Sequence, residues 1–529
     1  MAETNAKILI ADPLSAAGLD LLRSAGAEVV ELGDAADTDR GRLLALVADA
    51  DALLVRSRTK VDATLLRAGK KLRVVGRAGI GVDNVDVTTA TELGILVVNA
   101  PTANLLSAAE HTIALLLALA RNVAAADASM KAGEWTRSRF EGVELKDKTL
   151  GIIGLGRIGQ QVAARARAFE MKVVAFDPYL TPEQAERLGV ELADLETLLE
   201  SSDAVTLHVP FSEETRNLLN AERLAGMKRG ALLVNCSRGG VVDESALLAA
   251  LDAGQLGGAA LDVFAQEPPA DLALAGHRKV VATPHLGAQT AEAQERTSTE
   301  TAQMVLAALA GSLAVTAVNL PFRPAGSRGE PYLRLAEQLG HLAAAMLDGP
   351  PASVRVDLWG LDESLHAPIA VAVLKGALSH THPGLNYVNV EGAAATRGIV
   401  TARNVHPAPP GYPHLVVVKV ANSNGEMELA GTVFREREPR VVRFGTQPLE
   451  FWPEGTLLIL RSWDRPGVVG NVCTLLGEAG VNIADIHLAR KDGEPDAWTI
   501  LRLDERPSDE ALARLRELPN VQRVTVAEL

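Results

Sequence analysis

The chain has 529 residues, of which 47% are hydrophobic and 22% charged, and its formal net charge is −14. Because single hydrophobic cores rarely grow beyond about 250–300 residues, we expect several domains. The composition is that of an ordinary globular protein, and the negative charge argues against nucleic acid or an anionic membrane surface as a partner.

The cysteines and the amino terminus bear on the cellular compartment. Only two cysteines, Cys236 and Cys473, are present, so no disulfide framework is expected and a reducing environment is favoured. The terminus MAETNAK lacks the apolar core of a signal peptide, and the apolar runs IALLLALA and MVLAALAGSLAV are too short to cross a bilayer. We therefore expect a cytoplasmic protein.

The first part of the chain alternates short apolar strands with amphipathic helical stretches. Up to about residue 100, strands are predicted at KILIAD, AEVVEL, DALLVRS, LRVVGR and GILVVN. A long helix is predicted over about 102–122, within a second unit over about 100–285 whose strands are TLGIIG, KVVAFD, AVTLHVP, ALLVNCS and GGAALDVF. This alternation predicts two α/β units, each with a parallel sheet.

The pattern changes after PFRPAGSRGEP, which we interpret as a linker. Residues 331–450 begin with two predicted helices, PYLRLAEQLGHLAAAML and APIAVAVLKGAL, and end in short strands, which predicts an α+β module. Residues 455–529 follow the order strand, helix, strand, strand, helix, strand. That order is the βαββαβ arrangement of a ferredoxin-like fold.

A glycine-rich loop lies in the stretch LGIIGLGRIG, between a predicted strand and a predicted helix. In Gly154-x-Gly156-x-x-Gly159 the first glycine permits a tight turn, the second lets the backbone approach a pyrophosphate, and the third lets helix and strand pack closely. Asp177 ends the next strand, where a carboxylate would bind ribose hydroxyls and repel a 2′-phosphate. Because strand, helix, second strand and acid are all present, the pattern predicts an NAD site rather than an isolated turn.

The unit before this loop is then available to hold a substrate, with the active site between the two units. Residues 52–82 carry eight basic residues against one acid, Asp62, which inverts the charge of the chain locally. Arg56 and Arg77 end predicted strands, where open α/β sheets bind ligands, and a guanidinium suits phosphate or carboxylate. A solvated helix end and turn is the preferred interpretation of four other cations, Arg67, Lys70, Lys71 and Arg73.

Oxidation of an alcohol with NAD needs a group that takes the hydroxyl proton, and histidine suits this role near neutral pH. Among eleven histidines, His285 in VVATPHLGAQT follows a strand and a proline at the edge of the cofactor unit. Glu267 in LDVFAQEPP ends another strand and could orient the ring, and Arg238 in LLVNCSRGG could polarise a carbonyl or bind a carboxylate. Spacing alone leaves a structural role open for each.

Taken together, RAGIGVDNVD, GLGRIG, NCSRGGVVDE, LDVFAQEPP and TPHLGA resemble segments of the D-isomer-specific 2-hydroxyacid dehydrogenases. Essentially the whole chain resembles the long type of that family. The resemblance implies two Rossmann-like doubly wound domains, an α+β intervening domain and a ferredoxin-like ACT domain. The implied bounds are 1–100 plus 286–320 for the substrate domain, 101–285 for the NAD-binding domain, 321–452 for the intervening domain and 455–529 for the ACT domain.

The resemblance also implies functional residues, transferred one by one. The catalytic set is Arg238, Glu267 and His285, with His285 as acid–base and Glu267 as its partner. The implied NAD-binding set is Gly154, Gly156, Arg157, Ile158, Gly159, Asp177, Val209, Cys236, Ser237, Arg238, Asp262, His285, Leu286, Gly287 and Ala288. The implied substrate-binding set is Arg56, Ser57, Arg77, Gly79 and Asn104. Arg58 departs from the small residue usual at its position and adds charge near the implied phosphate site; no metal is expected.

ACT domains of such enzymes pair side by side and bind amino acids at the interface. The resemblance implies Asp464 and Asn482 as ligands of the effector L-serine, and a homo-oligomer, either dimer or tetramer. Serine-inhibited relatives often carry His or Tyr where this chain has Ser462, so strong feedback inhibition is not predicted. A purely structural dimerisation module is the alternative.

The activity implied by the resemblance is NAD-dependent oxidation of 3-phospho-D-glycerate to 3-phosphohydroxypyruvate, the first step of L-serine biosynthesis. One alternative is another D-2-hydroxyacid dehydrogenase. The basic segment and the ACT tail disfavour glyoxylate and hydroxypyruvate, whereas 2-hydroxyglutarate and 2-oxoglutarate, with two anionic ends, stay open. An NAD-sensing scaffold or corepressor is the alternative from another class, disfavoured because Arg238, Glu267 and His285 are all retained.

Overall fold

The computed structural model describes residues 5–529 apart from 34–38, 314–315, 324–325, 327, 383, 409–410, 491–492 and 494. The described residues form sheets of five, seven, six and four strands. The predicted linker falls partly on 324–325 and 327, which lie outside the described residues. In the described chain no single helix is long and apolar enough to cross a membrane, and one pair bent by 64°, Leu105–Ala120 with Val123–Lys131, passes that test by length and composition only.

The first sheet has the order β2-β1-β3-β4-β5, and all of its strand pairs are parallel. Its strands are β1 (Lys7–Ile10), β2 (Glu28–Glu31), β3 (Ala52–Val55), β4 (Val74–Arg77) and β5 (Leu96–Asn99). Its helices are α1 (Ala16–Ser24), α2 (Arg40–Val47), α3 (Ala63–Ala68) and α4 (Val87–Glu92). The strand order reverses between β1 and β3, and such switch points place ligands at the carboxyl ends of strands.

The second sheet is also parallel, in the order β12-β11-β10-β9-β6-β7-β8. Its strands are β6 (Thr149–Ile153), β7 (Lys172–Phe176), β8 (Glu191–Leu192), β9 (Ala204–Leu207), β10 (Leu232–Asn235), β11 (Gly258–Leu261) and β12 (Val280–Ala282). Its helices are α5 (Leu105–Ala120), α6 (Val123–Lys131), α7 (Arg157–Ala168), α8 (Pro182–Arg187), α9 (Leu195–Ser201), α10 (Ala221–Gly226) and α11 (Glu244–Asp252), with a 3-10 turn at Arg137–Arg139. Apolar strands such as β9 are buried throughout, as parallel strands covered on both faces are.

Helix α12 (Ala291–Leu309) returns from the second sheet to pack on the first. The Ser15 amide donates to Ser298 Oγ at 3.0 Å, and Arg73 Nη2 donates to the Leu309 carbonyl at 2.9 Å. The apolar face of α12 shares a core with Ile8 and Leu22. Part of the first sheet is therefore covered by residues that follow the second sheet in the chain.

A six-stranded sheet of order β14-β13-β15-β16-β17-β18 forms the third unit. Its helices are α13 (Glu330–Ala345), α14 (Glu363–Leu378) and α15 (Val390–Thr396). Its strands are β13 (Ser353–Trp359), β14 (Val400–His406), β15 (Leu415–Asn422), β16 (Gly425–Phe434), β17 (Glu438–Phe444) and β18 (Gln447–Phe451). The sequence interpretation missed β13, which lies between the two long helices and alternates buried with less buried residues.

The last unit has a four-stranded sheet of order β20-β21-β19-β22. Its elements are β19 (Thr456–Trp463), α16 (Val468–Glu478), β20 (Ile483–Arg490), β21 (Asp496–Leu503), α17 (Asp509–Glu517) and β22 (Val521–Glu528). The predicted βαββαβ order is confirmed. The predicted fold class, two parallel α/β units followed by an α+β unit and a ferredoxin-like unit, is confirmed as well.

Candidate active site

The glycine loop joins β6 to α7, and each glycine meets a different constraint. Gly154 has φ +92°, and a Cβ there would lie 2.9 Å from the His208 carbonyl oxygen. A Cβ on Gly159 would lie 2.2 Å from the Gly154 carbonyl oxygen, so this glycine permits the close packing of α7. Gly156 faces open space and is the N-cap residue of α7, where it has no side chain to cap the helix amides. The loop thus leaves amide groups at the start of a helix open to a pyrophosphate.

Asp177 follows β7 and is fixed beside this loop. Its Oδ2 accepts a hydrogen bond from the Leu155 amide and its Oδ1 one from the Tyr179 amide, both at 2.9 Å. The residues immediately after Asp177 are Pro178 and the exposed Tyr179, so no cation follows directly to bind a 2′-phosphate. This arrangement fits the ribose of NAD.

His285 and Glu267 form a hydrogen-bonded pair, with 2.7 Å between His285 Nδ1 and Glu267 Oε2. Glu267 Oε1 accepts a further bond from the Phe264 amide at 3.1 Å. Partial burial alone would raise the pKa of Glu267, but the hydrogen bond and charge of His285, with the Phe264 amide, hold this pKa below its usual value. Because Nδ1 is engaged, Nε2 is the ring nitrogen that can exchange a proton with a substrate.

Arg238 follows β10 and reaches the first α/β unit. Its Nε lies 3.1 Å from Asp83 Oδ2, and its Nη2 lies so close to Gly81 that a Cβ there would be 2.1 Å away. The turn that carries Arg238 is organised by the buried Asn235, whose Oδ1 accepts bonds from the amide and hydroxyl of Ser237. The guanidinium therefore bridges the cleft between the two α/β units.

Two further arginines face this region from the first sheet. Arg77 is largely buried, and burial, followed by the charge of Arg238, lowers its pKa to about 10. Its Nε is buried without a hydrogen-bond partner, and its Nη1 occupies the space that a Cβ on Gly79 would need. Burial also lowers the pKa of Arg56, against the opposing charge of Asp12. A desolvated guanidinium with an unpartnered N–H, such as that of Arg77, favours an anion nearby.

The sequence interpretation missed two residues that hold Arg56 in place. The buried Asp12 accepts hydrogen bonds from the Arg56 amide at 2.5 Å and from Thr59 Oγ1 at 2.7 Å. Asn84 Nδ2 donates to the carbonyl oxygens of Arg56 and Thr59, both at 2.7 Å. A polar residue directly after β1, at the carboxyl edge of an open sheet, was the signal that could have revealed Asp12.

The segment after His285 is anchored on the buried Asp262. The carboxylate accepts hydrogen bonds from the amides of Leu286 at 2.7 Å and Gly287 at 2.8 Å. His111 and Cys236 bring their nitrogen and sulfur atoms into the same cluster, within 4.8 Å of one another and of the carboxylate. Burial, and then the charge of Asp262, raises the pKa of the Cys236 thiol. We interpret this cluster as hydrogen-bonded support for residues 285–288.

The other residues of the implied cofactor and substrate sets have varied surroundings. Val209 packs against Gly154, and Ile158 packs against the core of the second unit. Arg157 begins α7, with Nη1 3.5 Å from the Pro101 carbonyl oxygen. Asn104 precedes α5, and its Oδ1 is buried without a partner. Ser57 is exposed. Ala288 is half-buried, and its carbonyl oxygen accepts a hydrogen bond from Gln294 Nε2.

Asp464 and Asn482 are not brought together within one chain. Asp464 follows β19 and lies 3.5 Å from Arg490 Nη1, whereas Asn482 precedes β20 and donates to Asp504 Oδ2 at 2.6 Å. Both β19 and β20 are antiparallel to β21, so these two residues lie at opposite ends of the sheet. A site that uses both therefore needs two chains. Ser462 is buried in β19.

Comparison with known proteins agrees with this geometry. The chain matches the family models for the NAD binding domain of D-isomer specific 2-hydroxyacid dehydrogenases over residues 113–287, the D-3-phosphoglycerate dehydrogenase intervening domain over 329–445 and the ACT domain over 456–520. The D-3-phosphoglycerate dehydrogenase of Methanocaldococcus jannaschii is 42% identical over 528 residues, which are 99% of this chain and 100% of that protein. The one from Bacillus subtilis is 38% identical over 528 residues, 99% of each chain.

Among solved structures, the D-lactate dehydrogenase of Aquifex aeolicus complexed with NAD and lactic acid aligns with a TM-score of 0.53 and 30% identity, covering 59% of this chain and 98% of that one. The chain therefore belongs to the D-isomer specific 2-hydroxyacid dehydrogenases. Within that family it groups with the full-length D-3-phosphoglycerate dehydrogenases, which it matches from end to end. The predictions of an NAD-dependent dehydrogenase and of NAD as cofactor are confirmed.

Proposed function

We propose that the protein oxidises 3-phospho-D-glycerate to 3-phosphohydroxypyruvate with NAD, the first step of L-serine biosynthesis. The observation that carries the proposal is that Arg238 lies between Arg77 and the His285–Glu267 pair. Its charge acts on the partly unpartnered Arg77. A Cβ on the next residue, Gly239, would lie 1.8 Å from the carbonyl oxygen of Phe264, whose amide donates to Glu267. The names of the full-length relatives support the same substrate.

In this proposal NAD, when bound, supplies the hydride acceptor. His285 accepts the proton of the C2 hydroxyl at Nε2 as that carbon loses its hydride and becomes a carbonyl carbon. The Glu267 carboxylate, hydrogen-bonded at Nδ1, fixes the tautomer and stabilises the imidazolium that forms. Arg238 stabilises negative charge on the substrate oxygen or carboxylate.

The two anionic ends of the substrate match two cations of the first unit, Arg77 and Arg56. The charge of Arg238 lowers the pKa of Arg77, so the two guanidinium groups lie near each other. Arg77 is therefore suited to bind the carboxylate next to the reacting carbon. Arg56, on the loop held by Asp12, suits the phosphate. Each desolvated guanidinium gains a charge-assisted hydrogen bond when the anion arrives.

Residue sets, domain bounds and assembly are part of the same proposal. The packing of α12 on the first sheet supports a discontinuous substrate domain, 1–100 plus 286–320. Exposed apolar side chains on α6 and the segment after it support a homo-oligomer, namely Val123, Met130, Trp135 and Val143. A cytoplasmic location stays a prediction from the sequence.

The test is NADH formation from a panel of D-2-hydroxyacids by the wild type and by Arg56→Ala. We expect 3-phosphoglycerate to give the highest kcat/KM, and Arg56→Ala to raise its KM about tenfold to hundredfold, through loss of one charge-assisted contact. The KM for an unphosphorylated 2-hydroxyacid should change far less. Arg67→Ala, which removes an exposed cation of the same basic segment, is the matched control and should leave both constants unchanged.

Three results would count against the proposal. No NADH from 3-phosphoglycerate would reject it, and a higher kcat/KM for D-2-hydroxyglutarate would assign the enzyme to that substrate. Equal losses on both substrate types would mean that Arg56 binds the shared carboxylate or supports the fold.

A further inference from the structure

The intervening domain contains a cleft of about 430 Å³ that lies apart from the active-site residues. It opens between the β13–β14 pair and the helices α14 and α15. Its lining residues are mostly small or aliphatic, with one acid and one base: Val354, Val356, Ala370, Leu374, Glu391, Ala394, Ala395, Ile399, Thr401, Ala402 and Arg403. Its volume is within the range of about 300–1,000 Å³ that is usual for small-molecule sites.

The cleft exists because the helices cover β13 but not its neighbour. In the parallel register Val354 pairs with Thr401 and Val356 with Arg403, so these four residues share one face of the sheet. Val354 and Val356 are buried, whereas Thr401 and Arg403 are exposed. Alanines on α14 and α15 line the gap and keep it open. The lining side chains are therefore mostly aliphatic, with the polar Thr401 and Arg403 on the exposed side.

The two charged residues of the cleft lack partners. In the described part of the chain, neither Glu391 on α15 nor Arg403 on β14 makes an ion pair or a hydrogen bond through its side chain. The Glu391 side chain is exposed, and partial desolvation of its carboxylate raises its pKa against the opposing charge of Arg403. Among the described residues, the two charges thus face the cleft without an ion pair or hydrogen bond, close enough for the charge of Arg403 to act on Glu391.

We propose that this cleft binds a zwitterionic aliphatic amino acid. Glu391 receives the ammonium group, Arg403 receives the carboxylate, and the alanine, valine and leucine side chains receive the aliphatic side chain. A charge-assisted hydrogen bond at each end fixes the orientation, and the apolar walls select against polar side chains. The inference does not rest on the proposed dehydrogenase substrate.

The position of α15 connects the cleft to the substrate-binding unit. This helix follows Asn389, and Asn386 Nδ2 donates to the Gly94 carbonyl oxygen at 2.7 Å. Asn389 Nδ2 is so close to Gly94 that a Cβ there would lie 2.6 Å away. Gly94 lies in the turn between α4 and β5. A ligand that contacts α15 thus binds one short helix away from the first sheet.

The experiment is isothermal titration calorimetry on the full-length protein, with L-leucine as the probe. The panel includes 4-methylpentanoate, which lacks the ammonium group, 3-methylbutylamine, which lacks the carboxylate, and L-serine. We expect L-leucine to bind and the two truncated compounds to bind at least about tenfold more weakly. Glu391→Gln and Arg403→Gln should each weaken L-leucine about tenfold to hundredfold.

Arg397→Gln is the matched control, because Arg397 is exposed on the same segment and does not line the cleft. Within the described chain its side chain donates only to the Ala393 carbonyl oxygen. This variant should bind L-leucine as the wild type does. Absence of L-leucine binding at millimolar concentration would overturn the proposal. So would binding that neither cleft variant alters, or equal binding of 4-methylpentanoate, which would indicate a simple anion site. L-serine binding that the cleft variants leave unchanged is expected if that ligand uses the ACT domain.

Discussion

The His285 ring is held by a hydrogen bond to a carboxylate, so in the proposed mechanism its second nitrogen takes the proton. His285→Ala should lower turnover about 10²–10⁴-fold, the usual effect of losing a general acid–base. NAD affinity, measured by fluorescence titration, should stay close to that of the wild type. Turnover within a few-fold of the wild type would show that another group transfers the proton.

Glu267 bears on the pH dependence of the same step. Its pKa is held below the usual glutamate value, so the carboxylate stays ionised at pH values where free glutamate would begin to protonate. That charge stabilises the protonated ring of His285. In Glu267→Gln the charge is gone, so the acid limb of the kcat/KM profile should move to lower pH while kcat falls. NADH formation across the pH range checks this, and an acid limb that does not move would contradict the pairing.

We expect Asp177 to determine the choice between the two nicotinamide cofactors. Asp177→Ala removes the ribose acceptor and the charge that repels a 2′-phosphate. We expect KM for NAD to rise about tenfold and the preference for NAD over NADP to shrink. Glu183→Ala, which removes an exposed acid from the next helix, is the control. An unchanged ratio of kcat/KM values for the two cofactors would reject the assignment.

At the scale of residues, the sequence predicted the groups that belong to short motifs. Gly154, Gly156 and Gly159 lie within six residues of one another, so local spacing is enough to assign their roles. Asp12 supports Arg56 from 44 residues away, a contact that only the sheet order creates. The link between Arg238 and Asp83 spans 155 residues and depends on how the two α/β units face each other.

At the scale of elements, the contact between α1 and α12 allows a direct test. A Cβ on Gly18 would lie 2.8 Å from Ser298 Cβ and 3.0 Å from its backbone carbon. Gly18→Ala should therefore force the helices apart and lower the free energy of unfolding by about 1–3 kcal/mol. Gly41→Ala is the matched control in the same unit, because its Cβ would meet only Asp39 Oδ1, at 3.5 Å. Urea unfolding that ranks the two variants equally would contradict this packing.

Elements with a clear hydrophobic pattern were predictable from the sequence, whereas strand β13 was not. The strands of the two parallel sheets are short apolar runs between helical stretches, and their alternation predicts the α/β class. Strand β13 lies directly between two strongly helical segments, which masked its alternating pattern. Its place in the sheet follows only from its pairing with β14 on one edge and with β15 on the other.

At the scale of the whole molecule, the separation of Asp464 and Asn482 predicts linkage between effector and assembly. If L-serine contacts both, it binds only where two ACT domains meet, and it then stabilises the larger species by mass action. Sedimentation velocity at low protein concentration should show a shift to the larger species with L-serine. Asn482→Ala should abolish that shift. A sedimentation profile that L-serine leaves unchanged would favour a purely structural ACT domain.

The return of α12 to the first sheet has a consequence for synthesis on the ribosome. The strands β1 to β5 emerge first, but the helix that covers Ile8 and Leu22 emerges roughly 190 residues later, about 10–40 s at ordinary elongation rates. During that interval one face of the first sheet lacks part of its cover, while the second α/β unit can already fold. A chain released before residue 291 would carry a complete nucleotide-binding unit beside an unfinished neighbour. The order of translation thus makes the substrate-binding unit the last part of the catalytic half to mature.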